Sequence, residues 1–221
     1  YGALLIFDEV VTGFRIGPSG AQGFFGVDPD LTVFGKIIAG GYPGAGGVGG
    51  HADCMAHLGA GLDSSGKKVP KAMCGGTMAA TPISCAAGYY TLCEIERTNA
   101  CETAGRMGDR LTRGLQALIK QHSLPFVAFN QGSICHLDNA GTMHFSIDWK
   151  KPWTIPEILK QTGVRQKEME HMGAAYMAEG IVTLAGSRLY TSAAYTEEMI
   201  DDVLSRFDRV FAGCGPLEVQ P

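Results

Sequence analysis

Short apolar runs that end at a polar or glycine residue dominate the first part of the chain. Residues Leu4 to Phe7 are all apolar and lead directly to Asp8, and a second β-rich run, Leu31 to Phe34, leads to Gly35 and Lys36. Apolar runs of this length are typical of buried parallel strands, whose carboxyl ends place ligand-contacting groups at one edge of a sheet. The pattern therefore predicts a parallel α/β sheet with Asp8 and Lys36 at its functional edge.

Helical patterns follow further along the chain. Thr81 and Pro82 supply an N-cap and a first-turn proline for a helix that reaches about Glu96. A second helix, from about Glu102 to His122, carries apolar residues at helical spacing. The later elements are predicted as strands at Phe126–Asn130, Ser133–Leu137, Thr142–Ile147 and Ile181–Leu184, and as helices at Val164–Glu179 and from Thr196 onward. In the last helix a buried stripe is expected at Ile200, Val203, Leu204, Phe207 and Phe211.

Glycines and prolines separate these elements. The stretch from Gly13 to Gly26 is predicted to be a loop that packs on the sheet or on a partner subunit through Phe24 and Phe25. The glycines after Lys36 are interpreted as a tight strand, with a short helix starting at His51. The change from βα alternation to short strands predicts two domains, residues 1–104 and residues 105–221.

Composition narrows the range of partners. Hydrophobic residues make up 45% of the 221 residues and the formal net charge is −4, which argues against nucleic acid and anionic membranes. No apolar run approaches the ~18 residues of a membrane span. The first residues form neither a signal nor a transit peptide, so a cytoplasmic location and small-molecule partners are expected.

The spacing of cysteine, histidine and glycine residues excludes several kinds of site. The seven cysteines show no C-x-x-C spacing and the six histidines no H-E-x-x-H motif, so we expect reduced cysteines in the core and no metal site. Gly44, Gly46 and Gly49 satisfy G-x-G-x-x-G, but a glycine-proline turn precedes them where a nicotinamide fingerprint needs a hydrophobic strand. Nicotinamide binding is therefore not predicted.

Lys36 has the sequence environment of a nucleophilic amine. Its neighbours are glycine, isoleucine and alanine residues, and a lysine among such neighbours is costly to keep charged. Its pKa should therefore fall, which makes the amine available to condense with a carbonyl group. That is the requirement for a Schiff base.

These residues closely resemble a known family. The chain from Tyr1 to about Phe207 resembles the class III, fold-type I aminotransferases that depend on pyridoxal 5′-phosphate, in the branch containing glutamate-1-semialdehyde aminomutase. The motifs that carry the resemblance are Asp8-Glu9-Val10, Thr12-Gly13-Phe14-Arg15, Pro29-Asp30-Leu31, Gly35-Lys36 and Gly75-Gly76-Thr77. The implied fold is the C-terminal part of the large, mostly parallel-sheet domain followed by a small α+β domain.

The resemblance assigns a role to each site residue. Lys36 would form the Schiff base with the cofactor, Asp8 would pair with the pyridinium nitrogen, and Val10 would pack against the ring. Thr77 would bind the cofactor phosphate of the opposite subunit in a homodimer. The resemblance also places the first residue about halfway along a typical member, so residues 1–221 are expected to be one part of a longer polypeptide or a split assembly whose N-terminal half is missing here, which would leave an exposed sheet edge.

Three reactions and one non-catalytic alternative remain open. We expect amino-group transfer between an amino acid or amine and a keto acid or aldehyde, because Ser187 stands where the aminomutase has a glutamate and Tyr195 where a histidine is usual. An aminomutase or racemase reaction is the alternative, and a catalytically silent scaffold is the non-enzyme alternative. Arg15 and Arg188 are either anion-binding or structural arginines.

Overall fold

The computed structural model of the chain describes residues 2–59, 61–139, 153, 169–184 and 186–214. The chain divides into two compact units, Tyr1–Glu102 and Thr103–Pro221. The division into domains 1–104 and 105–221 stays a prediction. Within the described residues no helix is both long enough and apolar enough to cross a membrane.

The first unit is built on a three-stranded sheet in the order β1-β2-β3. Strands β1 (Ile6–Asp8) and β2 (Leu31–Phe34) run parallel, with Asp8 opposite Val33. Strand β3 (Gly47–Gly50) returns antiparallel to β2. The predicted parallel pair and the predicted glycine strand are therefore both present, and the carboxyl ends of β1 and β2 lie at one edge.

The prediction that the first strand is buried is wrong. The exposed fractions of Leu4, Leu5 and Ile6 are 58%, 44% and 55%. Among the described residues of this unit β1 pairs with β2 alone. Burial of a parallel strand requires cover on both faces and a partner on each side, which local sequence does not reveal.

The described helices of the first unit are short except for the helix Pro82–Thr98, which packs against the segment that follows Lys36. They are α1 (Gly20–Phe25), a 3-10 turn (Lys36–Ala39), α2 (Ala52–Met55) and α3 (Pro82–Thr98). Helix α3 begins after Thr81 as predicted and runs two residues beyond the predicted end. The loop predicted from Gly13 to Gly26 instead contains α1, whose Phe24 and Phe25 are more than half exposed and contact each other edge to face.

The described residues of the second unit form an antiparallel sheet and three helices. The sheet order is β4 (Val127–Gln131), β5 (Ile134–Asp138) and β6 (Arg188–Tyr190). The helices are α4 (Ala100–Gln121), whose first residues belong to the first unit, α5 over residues 169–178, and α6 (Glu197–Ala212). The core between the sheet and the helices includes Leu115, Leu137, Tyr176, Phe207 and Phe211, all fully buried.

Helix α6 agrees with its sequence prediction in detail. The Thr196 hydroxyl accepts a hydrogen bond from the Met199 backbone N–H at 3.3 Å, which satisfies one free donor of the first turn. Of the predicted stripe, three residues are buried and two lie partly buried against the core. The buried three are Ile200, Phe207 and Phe211, and the partly buried two are Val203 and Leu204.

Of the strands predicted in the second unit, one is reduced to a single bridge and one lies outside the described residues. The strand predicted at Ile181–Leu184 is reduced to a single bridge between Leu184 and Arg188. The Leu184 carbonyl accepts hydrogen bonds from the Ser187 and Arg188 N–H groups, so the chain turns back at once and β6 forms instead. The strand predicted at Thr142–Ile147 and the start of the helix predicted from Val164 lie outside the described residues.

Candidate active site

Asp8 ends β1 at the edge where the parallel pair opens. Asp8 is exposed, and its Oδ1 accepts a hydrogen bond from the Val10 N–H at 3.0 Å. The next N–H along the chain, that of Glu9, donates to the Val33 carbonyl at 2.9 Å and extends the ladder beyond the strand. The backbone at Asp8 is thus held by β2, while the exposed carboxylate accepts a hydrogen bond from the turn that follows the strand.

Glu9 is a buried acid to which sequence reasoning assigned no role of its own. It is 1% exposed, and its carboxylate accepts hydrogen bonds from the Thr12 hydroxyl and from the Gln22 N–H, the latter at 3.0 Å. Its carbonyl accepts from the Gly13 N–H at 3.0 Å. An acid followed three residues later by threonine and then glycine is the local signal of such a turn. Glu9 therefore holds together the turn after Asp8 and the start of α1.

Lys36 lies directly after β2 in a left-handed conformation. Its φ is +51°, it begins the 3-10 turn, and it is exposed. The apolar, enclosed environment predicted for Lys36 is therefore absent from the described residues, because the isoleucines of the turn do not cover it. A non-glycine residue with this φ is strained, and such residues cluster at functional sites where the surrounding structure holds them.

An open cavity of about 500 Å³ lies beside Lys36, a volume within the range of small-molecule sites. Its described lining consists of Arg15, Lys36, Ile37, Gly41, Tyr42 and Pro43. Two cationic side chains on one cavity favour an anionic ligand such as a phosphate or a carboxylate. Asp8, Val10 and Thr77 are not among the lining residues.

The Val10 side chain lies against Gly35, the residue between β2 and Lys36. A Cβ atom on Gly35 would lie 3.1 Å from the Val10 Cγ1, so the Val10 side chain packs against the residue that precedes Lys36. The structure thus brings Asp8, Val10 and Lys36 to one sheet edge. Their assignment to cofactor contacts stays a prediction.

Thr77 lies in an exposed turn just before α3. The Ala79 N–H donates to the Gly76 carbonyl at 2.9 Å, and a Cβ atom on Gly75 or Gly76 would meet nothing within 4 Å. Backbone N–H groups that no side chain covers, next to a hydroxyl group, can bind a phosphate. The polar groups available in this unit, an amine, a carboxylate and a hydroxyl beside glycines, are therefore chemically suited to an aldehyde cofactor that carries a phosphate.

The residues that bear on the choice of reaction lie in the second unit. The Ser187 carbonyl accepts from the Leu137 N–H at 2.8 Å. Tyr195 is 43% exposed and lines a separate cavity of about 400 Å³ with Tyr190 and Met199. Arg188 is exposed opposite His136, whose pKa is lowered by burial and then by the Arg188 charge.

The cysteines and metal-ligand side chains are distributed without a cluster. All seven cysteines are free thiols, and Cys74, Cys85 and Cys93 are exposed, so the core location expected for them is wrong. Burial raises the pKa of the Cys135 thiol to about 11. Among the described residues no group of three or more His, Cys, Asp or Glu side chains is placed to hold a metal ion.

Comparison with known proteins connects this geometry to a family. The family model described as aminotransferase class III matches residues 1–206. Glutamate-1-semialdehyde 2,1-aminomutase 1 of Macrococcus caseolyticus is 36% identical over 213 residues, covering 94% of this chain and 44% of the relative. The corresponding aminomutase of Nitrosomonas europaea is 34% identical over 218 residues, with 96% and 44% covered.

Solved structures show the same fold. An omega-transaminase from Sphaerobacter thermophilus superposes with a TM-score of 0.74 at 25% identity, covering 96% of this chain and 44% of that one. A glutamate-1-semialdehyde aminomutase from Pseudomonas aeruginosa PAO1 gives 0.67 at 20% identity, with 95% and 44% covered. The chain spans slightly less than half the length of the relatives it matches.

Proposed function

The chain belongs to the class III aminotransferases, a family whose cofactor is pyridoxal 5′-phosphate, and we propose that it contributes Lys36 and Asp8 to a site for amino-group transfer. The substrates proposed are a small-molecule amino donor and a keto acid or aldehyde acceptor. The observation that carries the proposal is the position of Lys36 and Asp8 after two adjacent parallel strands, at one edge of the sheet. A cytoplasmic location stays a prediction.

The chemistry divides between the cofactor and the protein. When bound, pyridoxal phosphate supplies an aldehyde and a ring that withdraws electrons from the substrate carbon. Lys36 supplies the primary amine that would hold the aldehyde, and the same amine, once released, accepts and returns a proton at the substrate carbon. The Asp8 carboxylate would keep the ring nitrogen protonated, because a carboxylate at that nitrogen favours its charged form.

Further residues would position the cofactor. Val10 would contact the ring, since its side chain packs beside the residue before Lys36. Arg15 shares the cavity with Lys36 and would attract an anionic group. Thr77 would bind the cofactor phosphate of the opposite subunit in a homodimer, a proposal that its exposed turn supports.

Borohydride reduction tests the assignment of Lys36. Reduction of the cofactor-loaded protein followed by peptide mapping should locate the label on Lys36. Lys36→Arg should abolish labelling because it keeps the positive charge and removes the primary amine. Lys71→Arg, at an exposed lysine of the same unit, is the matched control and should label normally. A label on any other lysine refutes the assignment, and a protein that binds no cofactor favours the scaffold alternative.

Glutamate-1-semialdehyde isomerisation is the second candidate reaction. The curated relatives described above are aminomutases that are 34–36% identical over almost the whole chain. Ser187 and Tyr195, which replace the glutamate and histidine expected for that reaction, favour transamination instead. A steady-state assay with amino donors and keto acids separates the two, because an aminomutase converts its substrate without any keto acid, as would a racemase.

A further inference from the structure

The segment that follows Lys36 packs against α3 with direct backbone contact. A Cβ atom on Gly88 would lie 1.9 Å from the Ile38 carbonyl oxygen, and one on Gly40 would lie 2.6 Å from the Ala87 carbonyl carbon. Neither residue could carry a side chain without displacing main-chain atoms of the other segment. The two glycines therefore allow the 3-10 turn after Lys36 to lie directly on the helix.

A buried serine on the same helix holds the far end of this segment. Ser84 is 1% exposed, donates to the Pro43 carbonyl at 2.5 Å and accepts from the Thr81 hydroxyl at 2.9 Å. The Thr81 N–H in turn donates to the Gly44 carbonyl at 3.4 Å. The segment from Ile37 to Gly44 is thus attached to α3 at the turn and again beyond it.

We propose that Ser84 and Gly88 are positioning residues for Lys36, an inference that rests on the proposed function of that lysine. Lys36 is exposed and left-handed, so its own side chain contributes little packing to hold the strained backbone. Contacts of the neighbouring residues offset this strain. On the side that follows Lys36, they are the contacts that Ser84 and Gly88 make with the Ile37–Gly44 segment.

The same helix also follows the Thr77 turn. The Met78 carbonyl lies where a Cβ atom on Gly44 would be 2.4 Å away, so the turn contacts the end of the Lys36 segment. Helix α3 therefore supports both Lys36 and Thr77 within one unit. Loosening this support should disturb the cofactor environment before it unfolds the sheet, because β3 pairs with β2 independently of α3.

Hydrogen exchange of the complete, cofactor-free protein tests the proposal without relying on activity. Ser84→Ala removes the hydroxyl, and Gly88→Ala introduces the close approach to Ile38. In each variant amide exchange over Ile37–Gly44 should be about tenfold faster, while exchange over β3 stays unchanged. Ala86→Gly is the control, since it weakens the same helix at an exposed position between the two sites.

A second measurement separates positioning from a general loosening of the helix. In the cofactor-loaded protein the pH midpoint of the cofactor absorbance should move by roughly half a unit in Ser84→Ala and Gly88→Ala, and it should not move in Ala86→Gly. Equal exchange in all three variants, or an unmoved midpoint in the first two, overturns the proposal. If Gly88→Ala does not fold, Ser84→Ala decides alone.

A separate measurement tests the proposed function. Borohydride labelling of the unsubstituted protein reports whether Lys36 holds the cofactor, whatever the variants do. Labelling at Lys36 with unchanged exchange in Ser84→Ala leaves the proposed function intact and refutes the positioning roles. Absence of labelling refutes the proposed function, and with it the positioning roles, even where exchange is faster.

Discussion

The contact between Glu9 and Gly20 offers a quantitative test of how the turn after Asp8 is held. Gly20 begins α1 at φ +58°, and a Cβ atom there would lie 2.6 Å from the Glu9 carboxylate. An alanine in the left-handed region costs about 1–2 kcal/mol, and forcing an atom into a packed site costs about 1–3 kcal/mol more. Gly20→Ala should therefore lower the free energy of unfolding by roughly 2–5 kcal/mol.

The two parts of this cost can be separated with Glu9→Ala. That change removes the carboxylate and leaves the partly buried Gln22 N–H without its acceptor, at about 1–3 kcal/mol. In the Glu9→Ala background the carboxylate atoms that lie nearest to the new Cβ are gone, so Gly20→Ala should cost mainly the backbone part, about 1–2 kcal/mol. The expected coupling between the two substitutions is about 1–3 kcal/mol.

Urea unfolding followed by circular dichroism measures these differences, with midpoints compared at a common slope. Gly26→Ala is the matched control, because Gly26 ends α1 at φ +65° and a Cβ there meets nothing within 4 Å. It should cost about 1–2 kcal/mol with or without Glu9. If Gly20→Ala costs no more than Gly26→Ala, or the same in both backgrounds, the carboxylate contact does not govern the turn.

Two further predictions concern the second unit. Gly108→Ala should destabilise it by about 1–3 kcal/mol, because the new Cβ would lie 2.4 Å from the Gly132 carbonyl oxygen. Gly105→Ala should instead stabilise α4 by up to about 1 kcal/mol, since its nearest neighbour is an ordinary 3.6 Å away, and thermal unfolding compares the pair. The raised pKa of Cys135 means that the thiol stays protonated in the folded protein above the unfolded value. Stability should fall by up to about 1.4 kcal/mol per pH unit between pH 9 and 11 from this thiol. Cys135→Ala should reduce the slope of a urea-midpoint profile over that range, and the slope that remains belongs to Cys101, Cys214 and Tyr176, whose pKa values burial also raises. An equal slope in the variant would contradict the assignment.

Local sequence signals were sufficient for the elements whose contacts repeat regularly. Strand β2 was predicted at its observed bounds, α4 within two residues and the start of α6 within one residue, because an apolar run or a helical spacing identifies them without knowledge of the neighbours. The exposure of Ile6 and the three-residue strand β6 were missed. Both depend on what a segment pairs with, and a strand of three residues is too short to show a period.

In the candidate site, too, local sequence predicted some features and missed others. The placement of Asp8 and Lys36 at one edge follows from a general property of parallel strands and was predicted. The left-handed backbone of Lys36 and the burial of Glu9 were not. Both result from contacts with α1, α3 and the turns between them. A lysine among glycines and isoleucines is predicted to be enclosed when only its sequence neighbours are considered.

Exposure separates the residues proposed for chemistry from those that hold them. Asp8, Lys36 and Thr77 are exposed, whereas Glu9 and Ser84, which bond to the segments that follow Asp8 and Lys36, are each 1% exposed. A polar side chain buried in this way costs stability unless its hydrogen bonds are satisfied. Here the hydrogen-bond partners of Glu9 and Ser84 lie in neighbouring turns and helix ends. The free energy of these hydrogen bonds is therefore available to hold exposed, strained backbone in place. Under the proposed positioning roles, this arrangement would combine a lysine accessible to a ligand with a backbone held in the left-handed region.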